Sequence, residues 1–153
     1  MEKILQIAFG RFATGRASYG LLALRLVMGY AFVLHGLGKI QSPGGAFGFM
    51  GPQSPIPGFL QGLATLAEFG GGLALIFGFL TPLAALGIIA TMAVAYLTVF
   101  FPKGAPFVSN EGSSFEIVFV YLAAAFLFLT AGPGSLSLDA LLFGKKVANS
   151  QNK

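Results

Sequence analysis

Four long apolar runs dominate the chain, separated by short stretches rich in glycine, proline or charge. They fall at about 21–40 (LLALRLVMGYAFVLHGLGKI), 59–80 (FLQGLATLAEFGGGLALIFGFL), 82–101 (PLAALGIIATMAVAYLTVFF) and 115–131 (FEIVFVYLAAAFLFLTA). A hydrocarbon layer of about 30 Å takes roughly 20 residues of helix, so each run has close to the length of one crossing. The fourth is expected to extend a residue or two at either end. None alternates with period two as a barrel strand would, and backbone amides in lipid must be satisfied within their own segment. The runs are therefore predicted to be helices. Thr81-Pro82 divides the second from the third, and Gly132-Pro133-Gly134 stops the fourth.

Composition changes the solvent, not the pattern. The chain is 56% hydrophobic and only 9% charged, with a mean hydropathy of +0.82, whereas soluble domains carry about 25% charged residues. Lipid is the expected surroundings, and residues 1–153 are expected to form one integral membrane domain. Basic residues then set its orientation. Lys3, Arg11 and Arg16 precede the first run, and Lys145, Lys146 and Lys153 follow the last. The 41–58 connection is uncharged, and 102–114 carries Lys103 against Glu111. Positive charge stays on the cytoplasmic side, which predicts an all-α four-helix bundle with both termini, and the 132–153 tail, in the cytoplasm. The net charge of +4 is accounted for by these flanks and implies no nucleic-acid surface.

The first twenty residues lack an apolar core ending at a small-residue cleavage site and read as an interfacial lead-in to the first span. With no cysteine in the chain, disulfide and dithiol chemistry are excluded. So are cysteine-ligated clusters. A single histidine excludes a bis-histidine haem within one chain and argues against a histidine-cluster metal site, so no metal and no intrinsic cofactor is expected.

The first run carries Arg25, His35 and Lys39, which a purely structural span does not need. At about 100° per residue and with Arg25 as zero, Gly29 lies near +40°, Phe32 near −20°, Gly36 near +20° and Lys39 near −40°. His35 sits near −80°, four residues from Lys39. The cations thus share a stripe with two glycines, and small residues mark close helix contact in membranes. The second run answers with Glu68, flanked on its face by Gly71 and Gly72. By the helical rise Glu68 lies axially between His35, about 6 Å above, and Arg25, about 9 Å below, and either could reach it. An isolated carboxylate at that depth is costly enough to mark a site by default. Arg25 and Lys39 have a bland reading as snorkelling anchors. Ser113-Ser114-Phe115-Glu116 has the spacing of a capping box, although Glu116 at the outer end could also join His35 and Lys39. The uncharged 41–58 connection, with Phe47, Phe49, Met50 and Ile56, is too apolar for a flexible linker and either dips into the interface or lids the bundle. Beyond the fourth run, Ser137 or Asp139 is placed to cap a short helix, LDALLFGKK, suited to the membrane surface.

These stretches together resemble the DoxX family of small bacterial membrane proteins. The likeness rests on LRLVMGYAFVLHGLGKI, on Glu68 with Gly71, Gly72 and Thr81-Pro82, on MAVAY at 92–96 and on GPGSLSLDALL at 132–142. It implies a four-helix protein of the bacterial inner membrane with a link to quinone-coupled oxidation or to oxidant, thiol or hydroquinone stress. Carried over, the motif positions are Arg25, His35, Gly36, Lys39, Glu68, Gly71, Gly72, Glu116 and Asp139. Two departures stand out: no histidine closes the third run at Phe100-Phe101-Pro102-Lys103-Gly104, and NEGSSFE lengthens the usual approach to the fourth.

The leading expectation is a quinone-interacting subunit of a membrane oxidoreductase or stress system, with Glu68, His35, Arg25, Lys39 and Glu116 as ligand or proton-site candidates. Gly29, Gly36, Gly71 and Gly72 are the helix-packing candidates. Lacking a flavin or nicotinamide fingerprint, the chain needs a redox partner, soluble or membrane-bound, or a quinone supplied from the lipid bilayer. A non-enzymatic scaffold docking a soluble redox protein is the alternative, and a small-solute transporter a weaker one, since no inverted repeat is present. The glycine-lined faces also permit a homodimer.

Overall fold

The computed structural model describes residues 12–110 and 112–151, with side chains as far as residue 144. Helices are the regular elements among the described residues, with no strand among them. Helix α1 spans Arg16–Ile40, α2 Gly58–Phe77, α3 Thr81–Ala95, α4 Glu116–Ala131 and α5 Leu138–Gln151. A π-helical turn, Tyr96–Phe100, continues α3 to its end. Three of these, Arg16–Ile40, Gly58–Phe77 and Thr81–Phe100, are long and apolar enough to cross a membrane, while Glu116–Ala131 is apolar but shorter.

The helices pack in chain order, α1 on α2, α2 on α3 and α3 on α4, and α4 touches α1 to close the ring. The dry interior is small: Met28, Phe32, Leu75, Ala85, Ile88, Ala125 and Phe128 are all but inaccessible. Around it the arrangement is inverted relative to a soluble protein. Val27 is 71% exposed, Phe59 72%, Leu66 66% and Leu83 65%. An apolar shell of that extent belongs against lipid, because water-soluble monomers rarely expose more than a few hundred Å² of contiguous apolar surface.

Close backbone approach joins α1 to α2. A methyl placed on Gly36 would lie 2.5 Å from the backbone nitrogen of Phe69, and one on Gly29 would lie 2.7 Å from the carbonyl oxygen of Gly72. A methyl on Gly72 would in turn meet Gly29 O at 2.7 Å. Gly71 faces the other way, toward Ala84 and Ile88 of α3, at the ordinary contact distance of 3.7–3.8 Å. These glycines are therefore occupied inside the chain and offer no contact face to a second copy. The small-residue crossing lets two backbones approach where branched side chains would hold them apart.

The α2–α3 turn needs positive φ twice, at Gly78 (64°) and at Leu80 (49°). Gly78 is required for a second reason, since the Arg25 guanidinium occupies the place its Cβ would take. Asp139 holds the strained turn. Its Oδ1 accepts from the Leu80 amide at 2.8 Å and its Oδ2 from the Thr81 amide at 2.9 Å, satisfying orphan donors at the start of α3. From sequence, Asp139 or Ser137 is expected to cap its own helix. Ser137 does that, its Oγ accepting from Ala140 N at 3.1 Å, whereas Asp139 caps a helix 58 residues away. Asp139 is completely buried, so Asp139→Ala is expected to lower stability by about 2 kcal/mol, the upper range for a lost cap. A melting midpoint equal to that of the unaltered chain would contradict this.

The 132–153 segment is thus not simply a tail. Pro133 is fully buried, Ser135 N donates to Ala13 O at 2.9 Å, and Ser135 Oγ donates to Ser18 Oγ at 2.9 Å. The predicted capping box at the start of α4 does not form either. Phe115 is the N-cap residue, without a side-chain cap bond, because Ser113 and Ser114 stand two positions and one position too early to bond into the first turn. The proposed interfacial lead-in falls mostly on residues 1–11, outside the described residues, and α1 already begins at Arg16.

Candidate ligand-binding site

At the end of the helix group that holds the 41–57 and 101–115 connections, the four apolar helices part around a cavity of about 780 Å³. Its wall is mostly apolar: Leu60, Leu63, Ala64 and Ala67 of α2, Ala90, Met92, Val94 and Ala95 of α3, and Ile117 and Val118 of α4. The α3 backbone widens here, and its π-helical turn presents Thr98, Val99 and Phe100 to the cavity. Such wide turns occur often at functional sites because they re-aim side chains. Tyr96 of the same turn stacks edge-on against Phe115 and Phe119, with ring centres 5.1 and 5.4 Å away, which ties the ends of α3 and α4 together.

Four ionisable or ring-polar side chains reach the cavity: His35 and Lys39 from α1, Glu68 from α2 and Tyr121 from α4. Lys39 Nζ and Glu68 Oε1 form an ion pair at 2.7 Å, with side-chain exposures of 19% and 4%. The other carboxylate oxygen, Glu68 Oε2, is buried with no hydrogen-bond partner. His35 is an exposed residue on the opposite flank; its ring stands edge-on to Tyr121, with centroids 6.4 Å apart. Phe32 packs beneath both, 4.9 Å from the Tyr121 ring.

The 41–57 connection roofs the cavity and is bonded down at several points. Gln61 is the main anchor: its Oε1 accepts from Met50 N at 3.0 Å and its Nε2 donates to Ile56 O at 2.8 Å. Thr65 Oγ1 donates to Ala46 O at 3.1 Å. Phe47 lies against Gly62, where a Cβ would collide with its ring. Lys39 completes the closure, its ammonium 4.5 Å from the centre of the Phe49 ring, within the range of a cation–π contact. Of the two readings the sequence left for this connection, the lid is the one the contacts favour.

The five sequence candidates therefore separate. Glu68, His35 and Lys39 share the cavity. Glu68 pairs with Lys39, not with Arg25, which axial register keeps away, and not with His35, whose ring stands beside Phe32 and Tyr121 instead. Gly36 is level with Phe69, which puts Glu68 within one turn of Lys39. Arg25 lies about 16 Å from Gly36, back toward the start of α1, by the helical rise. There it does not snorkel: it is 1% exposed, its Nη2 donates to Leu136 O at 2.6 Å, and the Asp139 carboxylate is near enough to act on it electrostatically. Glu116 is exposed and, among the described residues, forms no ion pair with Lys39 or any other cation. It stands in the first turn of α4 and is not part of the cavity wall. No group of three or more metal-ligating side chains occurs among the described residues.

Tyr121 and the Gln61 anchor were missed as site residues. Tyr121 had a signal, being the only hydrogen-bonding side chain between Glu116 and Thr130. Gln61 had one too, since it sits seven residues before Glu68, two turns up the same helix face.

Comparison with known proteins agrees with this picture. The DoxX family model matches residues 20–100, which hold all the α1, α2 and α3 residues of the site. The Escherichia coli (strain K12) Inner membrane protein YqjF is 37% identical over 124 residues, covering 80% of this chain and 92% of its own length. A Bacillus subtilis (strain 168) protein named "Putative oxidoreductase CatD" is 31% identical over 131 residues, covering 85% of this chain and 92% of its own. No solved structure matches the chain. With its apolar helices and these relatives, it is a multi-pass protein of the bacterial inner membrane, and it belongs to the DoxX family.

Proposed function

We propose that the chain is a quinone-interacting membrane subunit of an oxidoreductase or oxidant-stress system, with its ligand held in the cavity against Glu68 and Lys39. One observation carries the reading: a cavity of about 780 Å³, apolar in its walls, ends on an ion pair whose carboxylate is buried. Small-molecule sites are typically about 300–1,000 Å³, apolar, with a few placed polar groups. A quinone ring suits this donor set. The Lys39 ammonium keeps N–H donors beyond the one on Glu68, and the Tyr121 hydroxyl adds another, so carbonyl oxygens can be oriented. Glu68 stands where a proton could be accepted or returned. The bound group would supply the electron-carrying chemistry, and the protein's part is to bind it, orient it and exclude water. With no flavin or nicotinamide fingerprint in the chain, electrons would pass to or from a partner protein. The oxidoreductase name of the Bacillus relative supports the same reading.

The test is binding of decylubiquinone to the full chain in lipid nanodiscs, followed by equilibrium titration. Glu68→Gln is expected to weaken binding about tenfold, the worth of a charge-assisted hydrogen bond, and Ala64→Phe, which fills the cavity, to abolish it. Equal binding by all three proteins would remove this cavity from any quinone chemistry.

The proposal includes a membrane arrangement of four spans with both termini in the cytoplasm, supported by the basic flanks at Arg16 and Lys145-Lys146. The α4 helix of 16 residues is about 24 Å long, short enough to ask the bilayer to thin locally. In the cysteine-free chain, Gln53→Cys should react with a membrane-impermeant maleimide on spheroplasts, and Asn149→Cys only after lysis. Labelling of Asn149→Cys in sealed spheroplasts would overturn the arrangement.

A further inference from the structure

Among the described residues that line the cavity, one fully buried side-chain polar atom is left without a partner. Gln61 is satisfied at both ends of its amide, and the Thr91 and Thr98 hydroxyls donate to Gly87 O and Val94 O. Glu68 Oε1 is taken by Lys39. Glu68 Oε2 is buried without a partner, and it can only accept. A buried carboxylate oxygen left in that state costs more than a neutral group would, so the complementary ligand atom is a donor. A carbonyl or ether oxygen in that place would set lone pair against lone pair.

The walls define the rest of the ligand. Leu63, Val94 and Ile117, respectively 52%, 48% and 52% exposed, stand in the cavity lining. The space therefore opens sideways through apolar side chains that face lipid, and a molecule dissolved in the bilayer can enter without crossing a polar barrier. An aromatic head would meet Phe49, Tyr121 and Phe100.

We infer that the cavity selects a lipid-soluble molecule whose ring carries a hydroxyl that donates to Glu68 Oε2, so that the phenolic, reduced form of a quinone-type ligand is held in preference to the dicarbonyl form. This rests on the cavity reading proposed above but adds a preference which that reading does not contain. The preference concerns binding alone and requires no electron transfer within the chain.

Four ring probes and decane separate the alternatives, each titrated against the full chain in nanodiscs, the ring probes being decylubiquinone, decylubiquinol kept anaerobic, 4-decylphenol, and 4-decylanisole, its methyl ether. The expected result is that the quinol and the phenol bind at least about tenfold more tightly than the quinone and the ether, the worth of a hydrogen bond to a charged acceptor. The paired variant Lys39→Met/Glu68→Leu, which removes both charges and leaves no orphan, should erase the difference while retaining some affinity for all four. Equal binding of quinol and quinone, with phenol matching its ether, would overturn the donor preference and leave the quinone site standing. Binding of decane as strong as that of the phenol would mark the cavity as a seat for acyl chains and overturn it likewise. Failure of every probe would remove both the preference and the site.

Discussion

Replacing Lys39 by methionine is expected to destabilise the protein by about 3–5 kcal/mol, the range for breaking a buried pair by deleting one member. Nothing else among the described residues bonds to the Glu68 carboxylate, so the substitution strands a charge whose side chain is 4% exposed. Removing the charge as well, in Lys39→Met/Glu68→Leu, should return most of that loss, because an apolar pair of similar volume often equals or exceeds a buried ion pair. The double variant separates two explanations for the single one. If stability returns while ligand binding does not, the pair is retained for recognition and not for the fold. The chain has no tryptophan, so the melting midpoint in detergent is best followed by far-ultraviolet circular dichroism. A Lys39→Met midpoint within a degree of the unaltered one would mean that Glu68 does not depend on Lys39, and the site as described would be wrong.

Gly36→Ala is the second large effect, expected at about 3 kcal/mol, the upper end of overpacking costs. The added methyl would fall 2.5–2.7 Å from three atoms of Phe69, two of them backbone, so no side-chain rotation can make room. The helices must separate, and their separation would move Lys39 away from Glu68, so ligand affinity should fall along with stability. Gly38 in the same helix is the control: a methyl there meets nothing within 4 Å, and Gly38→Ala should be neutral or stabilising by up to about 1 kcal/mol through helix propensity. Equal midpoints for the two variants would show that the α1–α2 crossing is looser than described.

The architecture explains why a protein with so small an interior can hold a charged pair. Three glycines, Gly29, Gly36 and Gly72, bring two backbones together in the lower and middle part of the group, and the Asp139 and Arg25 cluster fastens the end of the α2–α3 turn. The opposite end is then free to spread around a cavity, closed by a loop that Gln61 and Thr65 hold in place. Rigid packing at one end supports an open binding space at the other, and positioning groups on helices fixes them better than loops would.

The apolar runs and their Gly/Pro punctuation were enough to locate the helices, because spacing along one chain decides whether a segment can satisfy its own backbone in lipid. They also singled out Glu68, His35 and Lys39, since a charge in such a run stands out whatever it touches. Partnership was a different matter. Estimating depth from run ends set Glu68 between His35 and Arg25, yet the level at which α1 and α2 cross is fixed by Gly36 meeting Phe69, a contact between residues far apart in the chain. The roles of Arg25 and Asp139 depended in the same way on residues 111 and 58 positions distant, and Glu116 left the site because α4 turns it outward. Local pattern determined which segments are helices and which residues are chemically conspicuous. Only the tertiary structure decided which of them meet, because register between helices is set by packing and not by either sequence alone.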